Sequence, residues 1–131
     1  MRIMAIDHGT ARAGCAISDP SGTLARPLDV IEPPDPSAAA RLVSENDVEL
    51  VVVGLPVSLS GDEGPQARLA REFGNALAEI VDVPVETYDE RLTTRMAERS
   101  VRAGATAPPD ALAAAHLLES YLARTRAGIP E

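Results

Sequence analysis

The 131 residues contain no lysine and no tryptophan. All 12 basic residues are arginine. Arginine presents a planar fork suited to carboxylate and phosphate, but a biased genomic base composition produces the same pattern. Aromatic residues number three, Phe73, Tyr88 and Tyr121, too few for a platform on which bases stack. The single cysteine, Cys15, rules out an internal disulfide and, inside an apolar run, reads as a small buried hydrophobe. No apolar run approaches the roughly 20 residues that span a bilayer. No basic stretch followed by an apolar block opens the chain as in a signal peptide. The expectation is a cytoplasmic protein with no membrane contact. Positive charge is also scarce: 12 basic residues face 20 acidic ones, a net charge of −8. A general nucleic-acid coat is normally basic. An enzyme that grips nucleic acid along one local arginine strip is still allowed.

The length suits one domain with a substantial core. Residues 2–7, 14–18 and about 24–31 read as strands, joined by Gly9-Thr10 and Pro20-Ser21-Gly22, both turn chemistry. They predict an antiparallel meander. Asp35 is the N-cap and Pro36 the first residue of a short helix to about Asn46. Residues 49–55 form a near-continuous apolar run, as buried parallel strands do. Gly64-Pro65 opens a helix to about Val81 with Leu69, Phe73, Leu77 and Ile80 as its apolar stripe. A fifth strand spans 84–88, and Thr93 or Thr94 caps a helix to about Arg102. A last helix runs from Asp110 to about Arg124, packing Ala114, Leu117, Leu118 and Tyr121. The fold class is α/β: one five-stranded mixed sheet, order βββαβαβα, flanked by helices. Residues 1–124 form the domain and 125–131 a flexible tail.

Acidic residues stand where strands end or helices begin: Asp7, Asp89-Glu90 and Asp110. Strand cores exclude Asp, so Asp7 at the end of an apolar run needs a reason. In open α/β sheets, sites collect at the carboxyl ends of strands. Carboxylates brought together there repel one another, and Mg²⁺ or Mn²⁺ relieves the repulsion through oxygen ligands. Two such ions about 3.5–4 Å apart can activate water and stabilise a leaving oxygen. Each acid also has an ordinary role. Asp110 is a helix N-cap, Asp89 a cap or loop former, and Glu90 one half of a surface ion pair with Arg91. Asp19 before Pro20 is a turn former. His8 packs beneath the turn, because neighbours on a strand face opposite ways. His116, six residues after Asp110, lies off that residue's helical face and reads as no catalyst. Gly9 and Thr10 offer backbone N–H groups to an anion, with Arg12 in reach. Arg91, Arg95, Arg99 and Arg102 recur at helical spacing beside the acids. They form either a phosphate track or a solvated face balanced by Glu90 and Glu98. The loop through Ser58, Ser60 and Gly61 to Gly64 is placed to shape access.

Four segments, AIDHGTARAGCAISDP (5–20), VVVGLPVSLSGDEGPQA (51–67), VETYDERLTTRMAE (85–98) and DALAAAHLLESYL (110–122), span nearly the whole chain. In combination and order, the chain resembles the YqgF/RuvX family of Holliday-junction-resolvase-like nucleases in the RNase H superfamily. The resemblance implies an RNase H-like fold, with Asp7, Glu90 and Asp110 as catalytic acids binding Mg²⁺ or Mn²⁺, two ions in all. Within Asp89-Glu90-Arg91 it favours Glu90 as the metal-facing acid. It implies nuclease processing of the 5′ end of the 16S ribosomal RNA precursor, with pre-ribosomal particles as partners, or resolution of branched DNA. The sequence departs from the family pattern at Ala11, where a basic residue is common, at Ala13, where an aliphatic is common, and at His8, which replaces an apolar residue.

The leading expectation is a metal-dependent endonuclease in which Gly9, Thr10, Arg12, Arg91, Arg95 and Arg99 hold nucleic acid. A four-way DNA junction as substrate favours a homodimer over a monomer. A non-catalytic ribosome-assembly module is a third reading. A sugar-kinase or actin-like ATPase, suggested by Asp-x-Gly-Thr alone, needs a second domain for which one domain of this length leaves no room.

Overall fold

The computed structural model describes residues 1–58, 60–92 and 107–126. Five strands form one mixed sheet: β1 (Ile3–His8), β2 (Ala13–Ser18), β3 (Ala25–Ile31), β4 (Leu50–Leu55) and β5 (Val85–Asp89), in the order β3-β2-β1-β4-β5. The first three make the expected antiparallel meander, and β4 and β5 add in parallel beside β1. Asp19 builds the β2–β3 turn by accepting from Ser21 Oγ and from the Thr23 and Leu24 amides. Those bonds hold its carboxyl down at about 2.

Helices α1 (Pro36–Glu45) and α2 (Pro65–Ile80) cover one face, and α3 (Pro109–Arg126) covers the other. Asp35 caps α1 by accepting from the Ser37 amide at 3.0 Å. α3 continues past Arg124, so Thr125 is helical and its hydroxyl donates to the Tyr121 carbonyl. The helix expected over 93–102 lies outside the described residues.

The period-two alternation of strands divides the core. Met4 and Ile6 of β1, Cys15 and Ile17 of β2, and Val51 and Val53 of β4 face α1 and α2. Ile3 and Ala5, Ala16, and Leu50 and Val52 face α3. Cys15 is fully buried, which pushes its thiol up to about 12 and leaves it inert. The α2 stripe differs from expectation. Ala67, Ala70, Phe73, Gly74 and Leu77 meet the sheet, while Leu69 and Ile80 stay exposed. Small residues let the helix axis approach closely, and that rotates the larger Leu69 and Ile80 onto its flanks.

Candidate active site

Asp7 ends β1 and, by alternation after Ile3 and Ala5, lies on the α3 side of the sheet. A glycine stands on either side of it. On β2 its direct partner is Gly14. On β4 the parallel register runs through Ile6↔Val53, so the next pair is Asp7 beside Gly54. Both glycines hold space open. A methyl on Gly14 would lie 1.9 Å from the backbone oxygen of Asp110, so the first turn of α3 rests directly on this strand. A methyl on Gly54 would lie 2.8 Å from Glu90 Oε2 and 2.9 Å from Leu117 Cδ2. A glycine inside a strand marks close approach of another group. Here the two approaches bring the backbone of Asp110 and the side chain of Glu90 to the strands on either side of Asp7.

Strand parity also separates Asp89 from Glu90. Glu86 and Tyr88 of β5 face α3, where Tyr121 donates to Glu86 and Tyr88 is buried. Glu90 continues that side inward. Asp89 faces away and accepts from the Arg91 amide and guanidinium, at 2.6–3.1 Å. Residues Glu90–Leu92 form a single 3-10 turn. Ser120 on α3 pins it by donating to the Leu92 carbonyl at 2.8 Å. With that proton committed, Tyr88 is the donor in its 2.9 Å bond to Ser120 Oγ.

The Asp7 and Glu90 carboxyls lie within hydrogen-bonding reach of each other. Burial raises Glu90 to about 7, and the Asp7 charge and the shared bond act in the same direction. Burial likewise raises Asp7, the bond from Glu90 lowers it, and the Asp110 charge raises it. A proton shared by the pair therefore rests on Glu90 below a pH of about 7. Glu90 Oε2 is buried, and no N–H or O–H group among the described residues donates to it. A cavity of about 160 Å³ opens on this pair, walled also by Ala113, His116 and Leu117. A divalent cation fits these groups. The donors are all carboxylate oxygen, one is unpartnered, and a cation would replace the proton that keeps the charges apart. Among the described residues no three acidic, imidazole or thiol groups converge closely enough to hold an ion alone. Mg²⁺ typically binds through one or two carboxylates and retains water, which matches a pair with Asp110 alongside.

The structure brings Asp7 and Glu90 together, with Asp110 beside them. Asp110 sits within the first turn of α3 and is not its N-cap. It meets the Arg12 guanidinium at 3.5 Å, and Arg12 also reaches Glu32 at 3.7 Å. The Gly9 amide is not open to an anion, because it donates to the Arg12 carbonyl at 2.9 Å and closes the β1–β2 turn. Thr10 is exposed on that turn. Arg91 belongs to the 3-10 turn and pairs with Asp89, so the Glu90–Arg91 surface pair is replaced by an inward Glu90. Arg95, Arg99 and Arg102 lie outside the described residues. His8 packs its ring on Phe73 of α2, with centroids 5.0 Å apart, on the face opposite Asp7. His116 is half-buried and lines the acid cavity, where helical spacing from Asp110 alone had set it aside. What mattered was its place beside Asp7, on the side of α3 that faces β1. Gly14 and Gly54 carried a usable signal as lone glycines within strands.

The profile of the family described as "RuvX: Holliday junction resolvase" matches residues 1–124. The chain belongs to that family. A relative from Chloroflexus aggregans is 42% identical over 130 residues, covering 92% of each chain. One from Thermobifida fusca is 50% identical over 106 residues, covering 79% of this chain and 67% of its own. Both carry the name "Putative pre-16S rRNA nuclease". In fold, the RuvX chain is similar to Thermus thermophilus RuvC, with a TM-score of 0.70 at 16% identity over 98% of this chain and 97% of that one. It is also similar to the fowlpox virus Holliday junction resolvase, with a TM-score of 0.57 at 13% identity over 94% and 99%. The architecture is thus RNase H-like.

Proposed function

We propose that this RuvX protein is a metal-dependent endonuclease that processes the 5′ end of the 16S ribosomal RNA precursor, working in the cytoplasm on pre-ribosomal particles. The observation that carries the reading is the pair of carboxyls, Asp7 and Glu90, lining one cavity, with Glu90 Oε2 buried and unpartnered among the described residues and Asp110 alongside. The curated relatives' name supplies the substrate. Asp7, Glu90 and Asp110 are the residues that would hold Mg²⁺ or Mn²⁺. When bound, such ions activate water and offset charge on the phosphate. Without the cation, and below a pH of about 7, Glu90 retains its proton and the two carboxyls can stay paired. Arg12, Arg91, Arg95 and Arg99 bind the flanking phosphates, with the exposed β1–β2 turn at Thr10 beside them. This local grip tolerates a net charge of −8 elsewhere.

The second reading keeps the residues and changes the substrate to a four-way DNA junction. It is favoured by the family description and by the fold likeness to RuvC. One assay addresses both: manganese-dependent cleavage of precursor ribosomal RNA and of a synthetic junction, side by side, with Asp7→Asn as control. The expected result is cleavage of the RNA, loss of cleavage in the folded Asp7→Asn protein, and little action on the junction. Preferential cutting of the junction selects the second reading. Equal cleavage by pure Asp7→Asn protein removes the site assignment, and intact substrates throughout favour a binding module.

A further inference from the structure

Arg12 and Glu32 are neighbours by register. Ala13 of β2 pairs with Ile31 of β3 in an antiparallel ladder. The residue before Ala13 is therefore brought beside the residue after Ile31. Arg12 also shares strand parity with Gly14, the position on which the first turn of α3 rests. One guanidinium thus reaches two carboxylates through different nitrogens: Nη1 to Asp110 Oδ2 at 3.5 Å, and Nη2 to Glu32 Oε2 at 3.7 Å. Neither contact has the 2.7–2.9 Å length of a settled charge-assisted bond. Arg91 on Asp89 does, through Nε at 2.9 Å. Arg12 is divided between two acids, and only one of them belongs to the acid cluster.

We infer that Glu32 is a positioning residue that sets cation affinity by drawing Arg12 off Asp110. The inference rests on the reading of Asp7, Glu90 and Asp110 as the cation site. Without a divalent ion, Arg12 is the resident positive charge on Asp110. An ion held by Asp110 would compete with it, because two cations close to one carboxylate repel. Glu32 gives the displaced guanidinium a second carboxylate to rest on. There Arg12 keeps N–H donors free for a substrate phosphate, since a guanidinium has five and Glu32 engages few of them. With an ion on Asp110, Arg12 would be freer to meet the phosphate, so cation and nucleic acid would favour each other's binding.

A double-mutant cycle on Mn²⁺ affinity, measured by calorimetry without nucleic acid, tests this. Arg12→Ala should bind Mn²⁺ roughly two- to fivefold tighter than the wild type, the range an exposed ion pair supports. Glu32→Gln should bind it roughly two- to fivefold more weakly. The decisive comparison is Glu32→Gln in the Arg12→Ala background, where the Glu32 effect should vanish. In the Arg12-containing protein, Glu32→Asp should recover part of the loss. If Glu32→Gln weakens binding equally with and without Arg12, Glu32 acts only as a distant charge and the inference is overturned. No effect in either background overturns it too. A wild type that cleaves and binds Mn²⁺ with an additive cycle removes this inference alone. A wild type that binds no Mn²⁺ removes the cation site and the inference together.

Discussion

Substitution of the two glycines beside Asp7 separates the site from the scaffold. In Gly54→Ala the new methyl lies 2.8 Å from Glu90 Oε2, 3.1 Å from Glu90 Cγ and 2.9 Å from Leu117 Cδ2. Comfortable contact needs about 3.5–4.0 Å, so these groups must move by roughly 0.5–1 Å. All are the outer parts of side chains and can move. Overpacking costs about 1–3 kcal/mol, partly offset by about 0.4–1 kcal/mol from the stiffer unfolded chain. The net is a loss of about 1–2 kcal/mol, or about 4–8 °C in Tm at roughly 4 °C per kcal/mol. Activity suffers far more, since a misplacement of about 1 Å at a reacting centre costs on the order of a hundredfold. Gly14→Ala meets backbone instead, at 1.9 Å from the Asp110 oxygen and 2.3 Å from its carbon. Here α3 itself must lift, and the loss reaches about 3 kcal/mol or more. Gly74→Ala is the control. Its methyl finds ordinary room 3.6 Å from Val53 Cγ2, and a helical Gly→Ala change stabilises by up to about 1 kcal/mol. Thermal melts and manganese-dependent cleavage rates for the three variants check this. Wild-type cleavage by Gly54→Ala, or wild-type stability of Gly14→Ala, would refute the reasoning.

Glu90 rises from 4.5 to about 7 in the folded chain. Between those values the native state binds more protons than the unfolded state, so its contribution to metal-free stability falls as pH rises through about 7. His8, held below 6.5 by burial, acts in the opposite direction, so the Glu90 share is read as a difference. Glu90→Gln should be more thermostable than the wild type at a pH of about 8, with an advantage that shrinks toward a pH of about 5.5. A constant difference across that range in thermal melts would count against the shared proton. Glu90→Gln should also lower cleavage by at least about a hundredfold. Asp89→Asn should cost no more than roughly fivefold, seen in KM, because it weakens only an exposed ion pair with Arg91. Kinetics giving the reverse order would reassign the inward acid.

The meander, the parallel β4 and the last helix were legible because turn residues and apolar runs are local signals, read within a few residues. The α2 stripe was not. Closeness of approach set its orientation, and Ala67, Ala70 and Gly74 decide that more than the larger Leu69 and Ile80. Asp7 stood out as an acid ending an apolar strand. The choice between Asp89 and Glu90 needed the parity of β5, fixed by its pairing Gly54↔Tyr88 and Leu55↔Asp89. The Arg12–Glu32 contact and the place of His116 on the cavity depend on register between distant strands and on a helix crossing the sheet. A one-dimensional spacing rule reports neither.

The central claim is that Asp7 and Glu90, with Asp110 beside them, hold a divalent cation. A crystal of the wild-type protein soaked in Mn²⁺ tests it through the anomalous difference map. The account predicts a manganese peak bonded to carboxylate oxygens of Asp7 and Glu90, with Glu90 unprotonated and Arg12 withdrawn from Asp110. A map whose manganese peaks all lie away from these carboxylates, with the Asp7–Glu90 hydrogen bond intact, would contradict it.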